Sequence, residues 1–83
     1  MSIMNNLTFK NIDEFKLYLN KNKTADFLLD ISSMNIFDSL QFAVLSSEYF
    51  YRKHPLEKLK CKLPSDDVKT LISSFKVQNL EFV

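Results

Sequence analysis

Glycine is missing from all 83 residues. Its absence removes the glycine-rich phosphate loop and the dinucleotide fingerprint, both of which need backbone that a Cβ would block. Turns that require positive φ must then use the next most tolerant residue, asparagine. Asn5, Asn6, Asn11, Asn20, Asn22, Asn35 and Asn79 all stand at the expected breaks between elements. Cysteine occurs once, so an internal disulfide is excluded, and the balance fits a reducing cytosol. The single histidine, His54, has no cysteine or acid at ligand spacing beside it, so no metal site is expected there, and no cofactor is expected. No apolar run is long enough to span a membrane. The opening MSIMNNLTFKN lacks a basic start followed by an apolar core, so no signal peptide is expected. Charge of one sign is also scarce. Eleven basic and ten acidic residues give a net charge of +1, which argues against nucleic acid as a partner.

What is present is apolar and aromatic. Hydrophobic residues make up 46%, with eight Phe and three Tyr, which specifies a folded chain rather than a disordered tail. The length allows a single domain, residues 1–83, near the size at which burying enough surface becomes difficult. Area gained from a partner or from self-association would help such a chain.

The stretch from Ala25 to Phe50 organises the rest. Phe27-Leu28-Leu29 and Ile31 are too apolar for a strand with one wet face, so they predict a central strand covered on both sides. Asp38 is expected to open a helix as its N-cap, with Gln41 as the return half of a capping box. Phe37 and Phe42 then stand where a hydrophobic staple would put them. A functional site in such a unit belongs at the strand's carboxyl end, where the helix N–H groups collect.

Before this stretch, residues 3–9 predict a short strand carrying Ile3, Leu7 and Phe9. Asn11 caps a helix with Glu14 as its box partner, and Ile12, Phe15, Leu17, Tyr18 and Leu19 form its buried stripe. The polar, lysine-rich Asn20 to Lys23 ends it. Thr24 to Ile31 is the central strand, and Ser32 to Asn35 the loop after it, with Met34 and Ile36 turned toward the core. Pro55 stops the long helix and pushes His54 out of the helical region.

In residues 57–63, EKLKCKL, alternation sets Leu59, Cys61 and Leu63 against Lys58, Lys60 and Lys62. That strand has one wet face or lies at a sheet edge. Ser65 caps the last helix, with Asp66 and Asp67 in its first turn and Val68, Leu71, Ile72 and Phe75 as its stripe. Asn79 to Val83 ends the chain as a short strand. The order is β-α-β-α-β-α-β, and right-handed crossovers make its four or so strands mostly parallel.

Four sets of residues carry candidate chemistry. Asp30 and Asp38 are the acids that could meet at the carboxyl end of the central strand and hold a cation or serve an acid–base step. The competing reading makes Asp38 a cap and gives Asp30 a backbone partner. Ser39 could accept a phosphate at the positive end of its helix, or be an ordinary first-turn serine. Arg52-Lys53-His54 and the Lys58, Lys60 and Lys62 row could give one positive face. The row lacks the interleaved aromatics of a single-strand binder and reads as a solvated face, with a contact for an acidic partner as the alternative. Tyr49, Phe50 and Tyr51 cannot all face the sheet, because neighbours on a helix differ by about 100 degrees. At least one is therefore exposed, shielding the core rim or meeting a partner.

From Phe27 onward the chain resembles a STAS domain, the fold of anti-sigma-factor antagonists and of sulphate-transporter tails. The resemblance rests on FLLDIS, the spacer Ser33 to Phe37, and Asp38-Ser39 opening an apolar helix. The lysine-flanked strand and Pro64-Ser65-Asp66-Asp67-Val68 continue it. It implies a small STAS-like α/β fold and a non-enzymatic role, binding an anti-sigma factor or kinase-like protein in a bacterial cytoplasm. In that family, phosphorylation at the helix start breaks the complex. The family's run there is Asp-Ser-Ser-Gly-Leu with the second serine as acceptor, whereas this chain has Asp38-Ser39-Leu40-Gln41-Phe42. Leu40 occupies the acceptor position, so the resemblance implies the binding role without the usual switch. The front also departs from the family, with one short strand where a hairpin is usual.

The expected docking end therefore comprises Asp30, Asn35, Asp38, Ser39 and Gln41, with Tyr49 on the exposed part of the helix. Two alternatives stand beside it: a homodimer seamed by the apolar arc of that helix, and a phosphorylatable switch at Ser39.

Overall fold

The computed structural model describes residues 5–23, 26–75, 77 and 79–83. The first two residues of the expected opening strand, the start of the expected central strand at 24–25, and Lys76 lie outside them. Among the described residues four strands and three helices alternate as expected: β1 (Asn5–Leu7), α1 (Ile12–Lys21), β2 (Phe27–Asp30), α2 (Ile36–Lys53), β3 (Leu59–Lys62), α3 (Asp66–Ser73) and β4 (Leu80–Phe82). The strands lie side by side in chain order and every pairing is parallel. Leu29 sits between Leu7 and Cys61, and Cys61 between Leu29 and Phe82.

Strand order decides where the helices go. Right-handed crossovers that step always in one direction put every helix on the same face of the sheet. The packing agrees, with α1 against α2, and α2 against both α3 and β3. The covered face buries Phe27, Leu29, Ile31, Leu59, Cys61 and Leu80. The alternate residues Leu28, Asp30 and Lys60 are only half-buried, while Asn6, Lys62 and Glu81 are exposed. The expected cover on both faces of β2 is thus corrected. β2 is interior because strands flank it on both sides, but among the described residues its second face, with Leu28 and Asp30 half-buried, is not fully covered. For β3, the wet-face alternative holds and the edge alternative does not.

Each helix has a local cause. Asn11 Oδ1 accepts the Glu14 N–H at 3.0 Å, as the capping signal predicts. Glu14 reaches back at 2.7 Å to the N–H of Lys10, one residue beyond the usual box position. At the other end, the N–H and the side-chain amide of Asn22 both donate to the Tyr18 carbonyl, closing α1. Phe15 and Leu19 are buried, but Leu17 is 58% exposed and leaves the predicted stripe. On α3, Val68 and Ile72 are buried while Leu71 and Phe75 face solvent. Among the described residues this helix packs chiefly against α2, so a narrower strip is covered. Ser65 is its N-cap by backbone conformation, but its side chain makes no capping bond.

The buried face of α2 is partly hydroxyl. Ser39, Ser46 and Ser47 lie buried with Phe42, Ala43 and Phe50. Their hydroxyls donate to the carbonyls three residues back, Ile36, Ala43 and Val44, at 2.9, 3.2 and 2.9 Å. Small, internally satisfied side chains let the helix lie close to its neighbours without orphan polar groups. Among the described residues no buried side-chain polar atom lacks a partner. Large rings fill the space around this strip: Phe15 meets Phe27 and Phe42, and Phe27 meets Phe50, all edge-on. The side-chain amide of Asn79 donates to the Ser47 carbonyl at 2.8 Å, tying the approach to β4 onto α2.

Candidate functional site

The helix start at the carboxyl end of β2 falls three residues earlier than expected. Asn35, not Asp38, is the N-cap of α2. Its Oδ1 accepts the Asp38 N–H at 2.8 Å, and its Nδ2 donates to Asp38 Oδ2 at 3.0 Å. Asp38 is therefore the reciprocal partner at N3, and Gln41 lies a turn further in and exposed. Asparagine offers both an acceptor and a donor, so the Asn35 side chain makes both bonds to Asp38, one with its backbone N–H and one with its carboxylate. The shift has consequences for the neighbours. Ile36 becomes N1 and is half exposed rather than turned to the core. Phe37 becomes N2, is 77% exposed and forms no staple, while Met34 packs against the core as expected.

Ser39 moves from the expected first helical position to N4, where its side chain has no exposed surface. Its hydroxyl is engaged with the Ile36 carbonyl. Leu40, in the position of the family's acceptor, is half-buried against the core.

Asp30 and Asp38 are each held by their own turn. Asp30 Oδ1 accepts both the backbone N–H and the hydroxyl of Ser32. These bonds hold its carboxyl below the ordinary value, the hydroxyl first, and Lys62 beside it in the sheet register acts the same way. This is the backbone-partner alternative for Asp30, whereas Asp38 does not cap. Among the described residues, no three potential metal ligands group together.

Two hollows flank the first turns of α2. Toward α1 lies an open cleft of about 430 Å³ lined by Lys10, Asn11, Ile12, Met34, Asp38, Gln41 and Phe42. It sits where the starts of α1 and α2 meet. Toward α3 lies an apolar groove of about 520 Å³ lined by Phe37, Leu40, Gln41, Val44, Phe75 and Val77. Gln41 lines both, so it stands on the crest between a polar and an apolar side.

Tyr49 is not part of this end. Eleven residues separate it from Asp38, roughly 16 Å along a helix at 1.5 Å per residue. Its hydroxyl donates to Asn20 Oδ1 at 3.0 Å, and Lys16 and Lys53 place their ammonium groups 5.4 and 5.7 Å from its ring centre. It ties α2 to α1, while Phe50 is buried and Tyr51 is the exposed member of the aromatic trio. His54 closes α2, its N–H on the Phe50 carbonyl at 2.8 Å and its ring against Phe50. Burial pushes the Cys61 thiol up to about 12, with the charge of Asp30 adding to the effect, so it is no nucleophile at neutral pH.

Lys10 carries no expectation from the sequence, and Phe37 and Phe75, expected in a staple and in a helix stripe, are exposed instead. The Asn35-x-x-Asp38 spacing would have exposed Phe37. No local signal assigns Lys10 or Phe75, which reach the site through packing between elements.

Comparison with family models, curated proteins and solved structures yields no match. The class is therefore defined by the fold alone: a small α/β domain with a parallel sheet in β-α-β-α-β-α-β order, consistent with a generic STAS-like topology. No helix among the described residues is long and apolar enough to cross a membrane.

Proposed function

We propose that this chain is a non-enzymatic protein-binding domain of the anti-sigma-antagonist kind, working in a bacterial cytoplasm. It grips a partner protein with the first turns of α2 and the loop at residues 32–35. The observation that carries this reading is the open cleft between the starts of α1 and α2. There the exposed polar side chains of Lys10, Asp38 and Gln41 rim half-buried Ile12 and Met34. A polar rim around a small apolar floor is the composition of a regulatory protein interface. The usual phosphoswitch is not part of the proposal, since Leu40 carries no hydroxyl and Ser39 is enclosed.

The test is site-specific photocrosslinking in the native cell, with the probe at Gln41 or, as a control, at the exposed Lys58. One adduct at position 41 to a protein other than this chain, absent at position 58 and abolished by Lys10→Glu, is the expected result; an adduct between two copies of the chain does not count toward it. Identical adducts at both positions, or none at 41, would refute it.

A further inference from the structure

We infer that the apolar groove between α2 and α3 is covered by a second copy of this chain, packed about a two-fold axis. This goes beyond the proposed partner site, because it uses the opposite flank of α2. The groove pairs a knob with a hole. Phe37 protrudes with 77% of its surface free, next to a depression floored by half-buried Leu40, Val44 and Val77 and edged by Phe75, itself 58% free. Under a two-fold axis each copy's Phe37 enters the other's depression and reaches its Phe75, so one fit is made twice.

The area suits a second copy. An aromatic ring side chain carries about 200 Å², so Phe37 and Phe75 together expose roughly 270 Å². Adding the partly exposed floor of Leu40, Val44 and Val77 brings each copy to roughly 380 Å², or about 760 Å² for the pair. Homodimer interfaces are about 65% apolar, so this corresponds to a total near 1,200 Å², the lower bound of a stable interface. Charge does not oppose the pairing. The described residues lining the groove are all uncharged, and a net charge of +1 gives two copies little repulsion.

The experiment is sedimentation equilibrium of the full chain from low micromolar to near-millimolar concentration, with far-UV circular dichroism to verify folding. Wild type should approach twice the 9.8 kDa chain mass. Phe37→Lys and Phe75→Glu, both at exposed positions, should each remain at the single mass with unchanged dichroism. Mixed in equal amounts, the two variants should recover the doubled mass. The mixed pair has one lysine–glutamate contact and one native phenylalanine contact. A wild type that stays monomeric throughout overturns the inference and leaves the groove to a foreign chain. So does a dimer that survives Phe37→Lys, or a mixture that fails to pair. Lys10→Glu should leave the dimer intact, which separates this result from that of the partner site.

Discussion

Replacing Ser39 by aspartate would put a carboxylate where the side chain has no contact with water. The unfolded carboxyl titrates near pH 3.9, and full burial raises such a group by about 3 to 5 pH units. The sign follows from that shift. An acid raised on folding leaves stability untouched below about pH 3.9 and costs about 1.4 kcal/mol for each unit above it, until the folded value is reached. At pH 7 the electrostatic cost is therefore about 4 kcal/mol, with about 1 to 3 kcal/mol more for overpacking at any pH. A chain of 83 residues has roughly 4 to 12 kcal/mol in all, so Ser39→Asp should be largely unfolded at neutral pH if stability lies toward the lower bound. Ser39→Ala is the reference. It loses one hydrogen bond of about 0.5 to 1.5 kcal/mol and gains about 0.5 kcal/mol of helix propensity, leaving it within about 1 kcal/mol of wild type. Urea unfolding followed by circular dichroism, at pH 7 and again at pH 4, measures the gap between the two variants. It should be several kcal/mol at pH 7 and contract to the packing cost at pH 4. Equal stabilities at pH 7 would refute the enclosure of Ser39, and with it the placement of the α2 start.

The capping assignment predicts that Asn35→Ala lowers stability by about 1 kcal/mol, whereas Ser65→Ala, which removes no capping bond, shifts the urea midpoint little. Equal losses at the two sites would contradict it. Cys61 gives a pH signature at the alkaline end. Its folded value of about 12 lies above the unfolded value near 8.5, so its contribution is complete below the unfolded value and is lost as pH rises toward the folded one. The stability difference between wild type and Cys61→Ala should shrink by about 2 kcal/mol between pH 7 and pH 10. A difference that stays flat over that interval would refute the burial of the thiol.

Legibility followed the range of the signal. The element order, the alternation of Leu59-Lys60-Cys61-Lys62 and the Asn11 cap are local patterns, and each was readable from its own few residues. The start of α2 was misread because two capping signals overlap. Asp38-x-x-Gln41 has the familiar box residues, but the Asn35 side chain bonds both the N–H and the carboxylate of Asp38 and starts the helix three residues sooner. Tertiary placement was legible only in part. Periodicity identified the apolar stripes containing Leu17, Leu71 and Phe75, but the width of the neighbouring element decides how much of a stripe is covered. Buried Ser39, Ser46 and Ser47 were invisible to a reading that counts only apolar residues. The cleft itself joins Lys10, Met34 and Gln41 from separate elements, and no spacing along the chain encodes that meeting.

The sheet adds its strands in one direction, so each strand–helix step leans chiefly on the step before and the step after. Such a chain behaves less like a keystone arch than like a short stack, in which opening propagates inward from either end. The middle steps, held from both sides, are the ones to exchange their amide protons last. Each parallel pairing joins residues 21 to 32 positions apart, so loop entropy is spent before any strand pair forms, and folding should be slow for a chain of this size.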